Sequence, residues 1–461
     1  MSKSRSPSVG RPVSRLALAA VAAVGLAGCG IEKPVGTIGF VEGFGGVVAA
    51  DEPRAVVVAR DVLSSGGTAA DAAVALYFTL AVTQPSTASL GGGGVCIVHS
   101  GDGKKVRTEV VDFLAPPSAA AGQARSPSAV PTAVRGLFAM HAKYGRLRWE
   151  QLLAEPERLA RFGAPVSRAF AADLAKAAPV IARDPAARRI FFHPNGRVMG
   201  EGDELQQLDL AVTIGRIRRA PGDFYVGAGA RGMIEAATQA GLSLTQEDLR
   251  DFRPAFRDTV TVKLGNEVAH FAPPPAVASD AAGTLTKAAV AKPEDRANIL
   301  TQAVAQGQSA PAIMPGTGFV VLDSIGTAVV CGVSTQGVFG NGRVFPGTGI
   351  VAAAAPGVNG GPPAVAPMLL INPNVNEVRF GGTATGGGEA PAAVVSTLFA
   401  VYQDGRKLAE ALDRPAAPNT PQSALAPTRV NAFYCDSGKA SFKTCKVATD
   451  PRGFGLAAMV G

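Results

Sequence analysis

The chain has 461 residues, of which 47% are hydrophobic, 17% charged and 6% aromatic, and it contains 55 glycines and 34 prolines. This length suffices for one large domain or two, and the glycine and proline content suits a sheet protein with many loops. The formal net charge is +8, but lysine and arginine are scattered and are not interleaved with aromatic residues. A solvated basic surface is therefore favoured over nucleic-acid binding.

The first thirty residues have the pattern of a targeting segment. A basic start is followed by a short apolar run at 16–27 and then by Leu26-Ala27-Gly28-Cys29, which resembles the lipobox of bacterial lipoproteins. The run is too short to span a membrane comfortably. Cleavage before Cys29 would leave a lipidated cysteine that anchors the protein to a membrane.

The sequence therefore predicts a lipoprotein signal peptide over residues 1–28 and a tether over residues 29–39. The predicted location is the bacterial cell envelope, on the extracytoplasmic (periplasmic) side, with the membrane as a partner through the lipid anchor. The alternative is an ordinary secretory signal with an incidental cysteine.

The remaining cysteines suit an oxidising compartment. Cys435 and Cys445 flank a turn-like segment at 436–439, and their spacing predicts a disulfide across two strands, with two free thiols as the alternative. Cys96 and Cys331 lie in apolar, strand-like runs and are expected to be core fillers. The four histidines are far apart and no HExxH motif occurs, so the sequence predicts no metal site, and it implies no cofactor.

Regular structure is predicted from residue 38 onward. Residues 44–50 have the pattern of a strand, and residues 53–65 that of a helix with proline in its first turn and glycines after its end. Thr68 and Asp71 predict a capping box for a second helix that runs to about residue 82. Because this helix is rich in alanine on every side, we expect it to be buried.

Two later segments are rich in glycine. The run at 91–94 precedes a predicted strand at 95–99, whereas a dinucleotide-binding loop requires the strand before the glycines, so nucleotide binding is disfavoured. The stretch from 315 to 349 predicts a hairpin, with β-rich runs at 319–322 and 327–333 around a polar turn. Glycine-punctuated loops follow that hairpin.

In chain order, these segments resemble the γ-glutamyltranspeptidases, which are N-terminal-nucleophile (Ntn) hydrolases. Residues 47–100 resemble the family's GGNAVDAA helix, proline-serine loop and GIGGGG strand. The resemblance continues through Leu-Arg-Asp-Phe at 249–252, the prolines at 273–275, the hairpin, and Ala-Thr-Asp-Pro-Arg at 448–452. It covers most of residues 40–461.

This resemblance implies an α+β fold, the four-layer αββα Ntn-hydrolase sandwich. A large-subunit-like region at 40–315 and a small-subunit-like region at 316–461 would form one intertwined domain. The span from 275 to 316 is short and polar, with a single helix-start signal at 292–296. We therefore expect a shortened helical segment before the hairpin.

The family's reaction makes definite demands. Its precursor cuts itself before a threonine, whose new α-amine serves as the base for its own hydroxyl. The hydroxyl attacks a γ-glutamyl amide, and two backbone N–H groups hold the oxyanion. An arginine pairs the glutamate carboxylate through its planar fork. The implied partner is a γ-glutamyl or other amide small molecule.

The sequence departs from the family at the residues that carry this reaction. In an alignment without a gap, the family's nucleophilic threonine falls on Gly316 and its second threonine on Thr317. Thr317 aligns with the nucleophile only if this chain has lost one residue before Asp323. Ser334 corresponds to the threonine that supports the nucleophile, and Gln336 to a substrate-binding asparagine.

The remaining site positions form two groups, one that differs from the family and one that matches it. Leu114 stands where the family has its carboxylate-binding arginine, and Pro363 and Ala364 stand where it has a pair of serines. Gly386 and Gly387 match the family's oxyanion glycines, although glycines there are also retained for backbone shape alone.

Two hypotheses follow from these departures. The first is a γ-glutamyltranspeptidase-like lipoprotein that keeps the sandwich but is catalytically impaired. The alternative is an active, autoprocessed Ntn amidohydrolase that uses Thr317 as its nucleophile, with altered substrate specificity. A generic serine hydrolase is disfavoured because no G-x-S-x-G motif occurs.

Overall fold

The computed structural model describes residues 43–101, 106–123, 126–274, 281–308, 315–357, 365–413, 428–436 and 440–461. The predicted signal peptide, the tether and Cys29 lie outside the described residues, and so do Pro363 and Ala364.

The strands are β1 (Gly46–Ala50), β2 (Gly93–His99), β3 (Thr108–Phe113), β4 (Ala164–Pro165), β5 (Glu204–Leu205), β6 (Ala255–Asp258), β7 (Val260–Leu264), β8 (Glu267–Phe271), β9 (Thr317–Asp323), β10 (Ala328–Ser334), β11 (Val344–Phe345), β12 (Ile350–Val351), β13 (Val365–Asn372), β14 (Glu377–Thr385), β15 (Arg429–Cys435), β16 (Cys445–Thr449) and β17 (Leu456–Val460). The helices are α1 (Pro53–Ser64), α2 (Ala69–Thr83), α3 (Ala133–Tyr144), α4 (Trp149–Leu152), α5 (Ala154–Phe162), α6 (Arg168–Ile181), α7 (Pro185–Phe191), α8 (Leu208–Arg219), α9 (Asp223–Val226), α10 (Ala228–Ala240), α11 (Gln246–Asp251), α12 (Ala281–Val290), α13 (Pro293–Gln308), α14 (Ala390–Tyr402) and α15 (Leu408–Leu412).

Two antiparallel sheets organise the described strands. The first has the order β17-β1-β9-β10-β2-β3-β6, and the second has the order β16-β15-β14-β13-β8-β7. Both sheets draw strands from the region before residue 316 and from the region after it, within one unit that spans Ile38–Gly461.

Three apolar layers separate the elements of this sandwich. Helices α1 to α3 pack on the outer face of the first sheet, where Phe319 and Val321 contribute to the core. Val320 and Leu369 lie between the two sheets, and α12 and α14 cover the far face of the second sheet, where Leu370 is buried. This arrangement confirms the predicted α+β fold with four αββα layers.

The start of α2 follows the local sequence signals closely. The hydroxyl of Thr68 accepts a hydrogen bond from the backbone N–H of Asp71, and the Asp71 carboxylate accepts one from Thr68 N–H. The same carboxylate accepts the N–H groups of Arg146 and Leu147, so the capping box also holds the loop after α3. Every residue of α2 is buried, as its composition predicts.

The span before the hairpin contains two helices, whereas the sequence signals indicated the start of only the second. Ala281, Leu285 and Ala288 of α12 are buried against the second sheet. Their spacing of four and then three residues is the pattern of one helix face, so this helix could have been predicted from the sequence. Among the described helices, none is long and apolar enough to cross a bilayer.

Both cysteine pairs form disulfides, which confirms one prediction and overturns another. Cys435 and Cys445 are bonded across β15 and β16, as predicted. The expectation that Cys96 and Cys331 are separate core fillers is wrong, because they are bonded to each other. They lie directly opposite in the register of β2 and β10, a pairing that a separation of 235 residues hides from the sequence.

We expect the Cys96–Cys331 disulfide to contribute more to stability than the Cys435–Cys445 disulfide. Loop-closure entropy predicts about 5 kcal/mol for a loop of 235 residues and about 3 kcal/mol for one of 10. Urea denaturation of the two double alanine variants measures this difference. An equal loss, or a larger loss for the Cys435 and Cys445 variant, would contradict the expectation.

Candidate active site

The central hairpin of the first sheet is held by one buried carboxylate at its turn. Asp323 accepts hydrogen bonds from the backbone N–H groups of Ile325 and Thr327 within the turn, and from Ala69 at the start of α2. Burial raises the pKa of Asp323 to about 6. The start of helix α2 and the turn at the end of β9 are therefore fixed to each other.

Gly316, on which the alignment without a gap places the family's nucleophile, leaves no space for a side chain. A Cβ atom at this residue would lie 2.6 Å from the backbone oxygen of Val333 and 3.2 Å from Cγ1 of Val365 in the second sheet. The nearer of these atoms belongs to the backbone of β10, which cannot move aside as a flexible side chain does. The position therefore lacks both a hydroxyl and the room for one.

Thr317 is buried and belongs to a polar cluster that joins the two sheets. Its hydroxyl donates a hydrogen bond of 2.7 Å to Oδ2 of Asp51. Asn431 donates from Nδ2 to Oδ1 of Asp51 and to the backbone oxygen of Gly318, each at 2.8 Å. Chemically, the cluster pairs a threonine hydroxyl with a carboxylate, within which a proton can move from oxygen to oxygen.

Ser334 contacts the residue before Gly316, and Gln336 follows Ser334 at the end of β10; their roles in the family's reaction stay predictions. The hydroxyl of Ser334 donates to the backbone oxygen of Pro315 and accepts the backbone N–H of Gln336, both at 2.8 Å. Gln336 is buried, has a positive φ of 60°, and its Oε1 has no hydrogen-bond partner. Ser334 thus positions the backbone on both sides of the candidate site.

The glycines after β14 have a different set of contacts. The N–H of Gly387 donates to Oγ1 of Thr428 at 2.9 Å, and that hydroxyl donates to Glu389 at 2.6 Å. Gly386 has a φ of 118°, which only glycine adopts readily. One of the two proposed oxyanion donors is therefore already engaged with a side chain, and the oxyanion role of both stays a prediction.

A cavity of about 390 Å³ brings Leu114 and Gln336 together. Its other lining residues are Asp112, Ala115, Pro116, Phe252, Arg253, Ala255, Arg257 and Pro356. The position that corresponds to the family's arginine therefore faces the same space as Gln336, but it contributes an apolar surface. Within the described ranges, no group of three or more His, Cys, Asp or Glu side chains is arranged to hold a metal ion.

Sequence reasoning missed three polar residues at this end of the sandwich. Asp51 follows directly after the predicted first strand, and a carboxylate at a strand end was the available signal. Asn431 reaches Asp51 only through the packing of the second sheet on the first. Arg257 lies in β6, and its place beside Leu114 depends on the pairing of β6 with β3.

Comparison with solved structures supports the fold assignment. The cephalosporin acylase of Bacillus halodurans superposes with a TM-score of 0.75 at 18% identity, and the match covers 94% of this chain and 99% of that one. The γ-glutamyltranspeptidase of Helicobacter pylori gives a TM-score of 0.50 at 25% identity, over 56% of this chain and 80% of that one.

Comparison with known sequences identifies the family. Glutathione hydrolase 3 of Arabidopsis thaliana is 31% identical over 253 residues, which are 52% of this chain and 40% of the relative. The glutathione hydrolase proenzyme of Bacillus subtilis (strain 168) is 34% identical over 226 residues, which are 45% and 38% of the two chains. The chain thus spans about two fifths of the length of these relatives.

The sequence model of γ-glutamyltranspeptidase matches residues 55–286, half of the chain. This match extends from α1 into α12 and ends before β9. From its sequence over that half, this chain belongs to the γ-glutamyltranspeptidase family.

Proposed function

We propose that this chain is a member of its family that has lost γ-glutamyl transfer and hydrolysis. The observation that carries the proposal is the crowding at Gly316, where a Cβ atom would meet the backbone of β10. Without a hydroxyl at that position no acyl-enzyme forms there. Leu114 supports the same conclusion, because an uncharged side chain cannot pair the glutamate carboxylate.

A second candidate function is favoured by the hydrogen bond between Thr317 and Asp51. A threonine hydroxyl that donates to a carboxylate at 2.7 Å resembles a nucleophile with a base. Under this alternative the chain cuts itself between Gly316 and Thr317, and the released α-amine and Asp51 both act on the hydroxyl. The product is an amidohydrolase whose substrates differ from γ-glutamyl compounds.

The mass of the purified chain on a denaturing gel separates these two functions. We expect one intact chain, and we expect no release of p-nitroaniline from γ-glutamyl-p-nitroanilide. Thr317→Ala is expected to leave the mass unchanged, as is the control Thr327→Ala in the same hairpin. Two fragments, with the smaller one beginning at Thr317 and disappearing in Thr317→Ala alone, would refute the proposal in favour of the alternative.

The crowding at Gly316 has a direct consequence for stability. Gly316→Ala is expected to lower the free energy of unfolding by about 1–3 kcal/mol, because the new Cβ overlaps the Val333 carbonyl. Gly222→Ala serves as the control, since a Cβ there meets nothing within 4 Å and its φ of −68° suits any residue. Equal stability of the two variants in urea denaturation would show that β9 has room for a nucleophile.

For the location of the protein, we propose a lipid anchor at Cys29 on the extracytoplasmic side of a bacterial membrane. The lipobox-like sequence supports this proposal, and the two disulfides suit an oxidising compartment. In a bacterial host grown with labelled palmitate, the wild-type chain should carry the label and Cys29→Ser should not. Label retained by Cys29→Ser would contradict the anchor.

A further inference from the structure

The cavity at Leu114 has the dimensions of a small-molecule site. Its volume of about 390 Å³ falls in the range of ligand pockets, roughly 300–1,000 Å³. It lies at the ends of β3 and β10, next to the start of β6. What it binds is set by two features of its lining: an excess of positive charge and an apolar wall.

The charge of the lining favours an anion. Arg253 and Arg257 stand against one carboxylate, that of Asp112, so one positive charge is in excess. Arg257 makes a single contact of 3.4 Å with Asp112, and its side chain is 40% exposed. A guanidinium has five N–H donors, so Arg257 retains donors for a ligand carboxylate.

The rest of the lining is apolar and does not match the α-amino acid end of a glutamate. Leu114 presents its side chain where the resemblance places an arginine, and Phe252 and Pro356 add apolar surface around the same space. An apolar ligand group gains about 25 cal/mol for each Å² that it buries here. A second charged group on the ligand would instead lose its hydration.

The side chain of Arg135 holds in place the loop that carries Phe252 and Arg253. The guanidinium of Arg135 donates to the backbone oxygens of Leu249, at 3.0 Å, and of Phe252. It also stacks on the ring of Tyr225, 3.9 Å from the ring centroid. The wall of the cavity is therefore pre-organised, which lowers the entropic cost of binding.

We propose that this cavity binds a carboxylate that also carries an apolar side chain and no second charge, as in an N-acylated apolar amino acid. The carboxylate is held by Arg257 with Arg253, and the apolar side chain lies on Leu114. This assignment rests on the proposed function, because it takes the site to have been released from γ-glutamyl recognition.

Calorimetric titration of the purified full chain with N-acetyl-L-leucine and with its uncharged primary amide tests the assignment. The acid is expected to bind about tenfold more tightly, since only the acid makes a charge-assisted contact. In Arg257→Gln this preference should fall, because only Arg253 remains to hold the carboxylate. The control Arg60→Gln removes an arginine that also pairs with an aspartate but lies outside the cavity lining, and it should keep the preference.

A second variant tests the apolar wall. Leu114→Ala removes apolar surface without adding a charge and is expected to weaken binding of N-acetyl-L-leucine by about tenfold, because the leucine side chain of the ligand loses its contact surface. Equal affinity for acid and amide in the wild type would overturn the assignment, as would the absence of binding by both. So would an unchanged preference in Arg257→Gln.

The results remain separable from those that test the proposed function. A chain that cuts itself before Thr317 yet prefers the acid refutes the loss of catalysis and supports the ligand assignment. An intact chain that does not discriminate acid from amide supports the loss of catalysis and refutes the ligand assignment.

Discussion

The site depends most on how closely the two sheets approach each other at the start of the central hairpin. Gly318 and Gly332 are directly opposite in β9 and β10. A Cβ at Gly318 would lie 2.6 Å from Cγ2 of Thr383, and one at Gly332 would overlap Val365. Gly316 continues the same face of β9. A side chain at Gly318 or Gly332 would meet the second sheet, whereas one at Gly316 would first meet the backbone oxygen of Val333 within its own sheet. The face that continues through Gly316 is therefore closed to a side chain both between the sheets and along β10.

The polar cluster at the end of β1 gives Thr317 a structural role of its own. The carboxylate of Asp51 is buried between the sheets, and a buried carboxylate is tolerated only where donors surround it. The hydroxyl of Thr317 and the amide of Asn431 supply those donors. This structural role explains the hydrogen bond between Thr317 and Asp51 without a catalytic step. The hydrogen bond alone is therefore not evidence that Thr317 is a nucleophile.

Sequence patterns predict structural features that depend on a few neighbouring residues. They miss features that depend on how distant strands pack together. The capping box at Thr68, the hairpin turn at Asp323 and the Cys435–Cys445 pair each rest on local signals, and each is present in the structure. The Cys96–Cys331 bond depends on the register of two strands that are far apart in the chain. The places of Leu114 and Gln336 followed from family resemblance, whereas no local signal placed Arg257 beside them.

Gln336 lies at the cavity at a cost to stability. Its left-handed backbone costs a residue other than glycine roughly 1–3 kcal/mol, and its unpaired Oε1 adds the cost of an unsatisfied buried acceptor. Glycine would relieve both costs, since Ser334 binds the backbone N–H of residue 336 and needs no side chain there. Under the proposed loss of γ-glutamyl recognition, the uncharged side chain of Leu114 provides the apolar surface on which the proposed ligand packs.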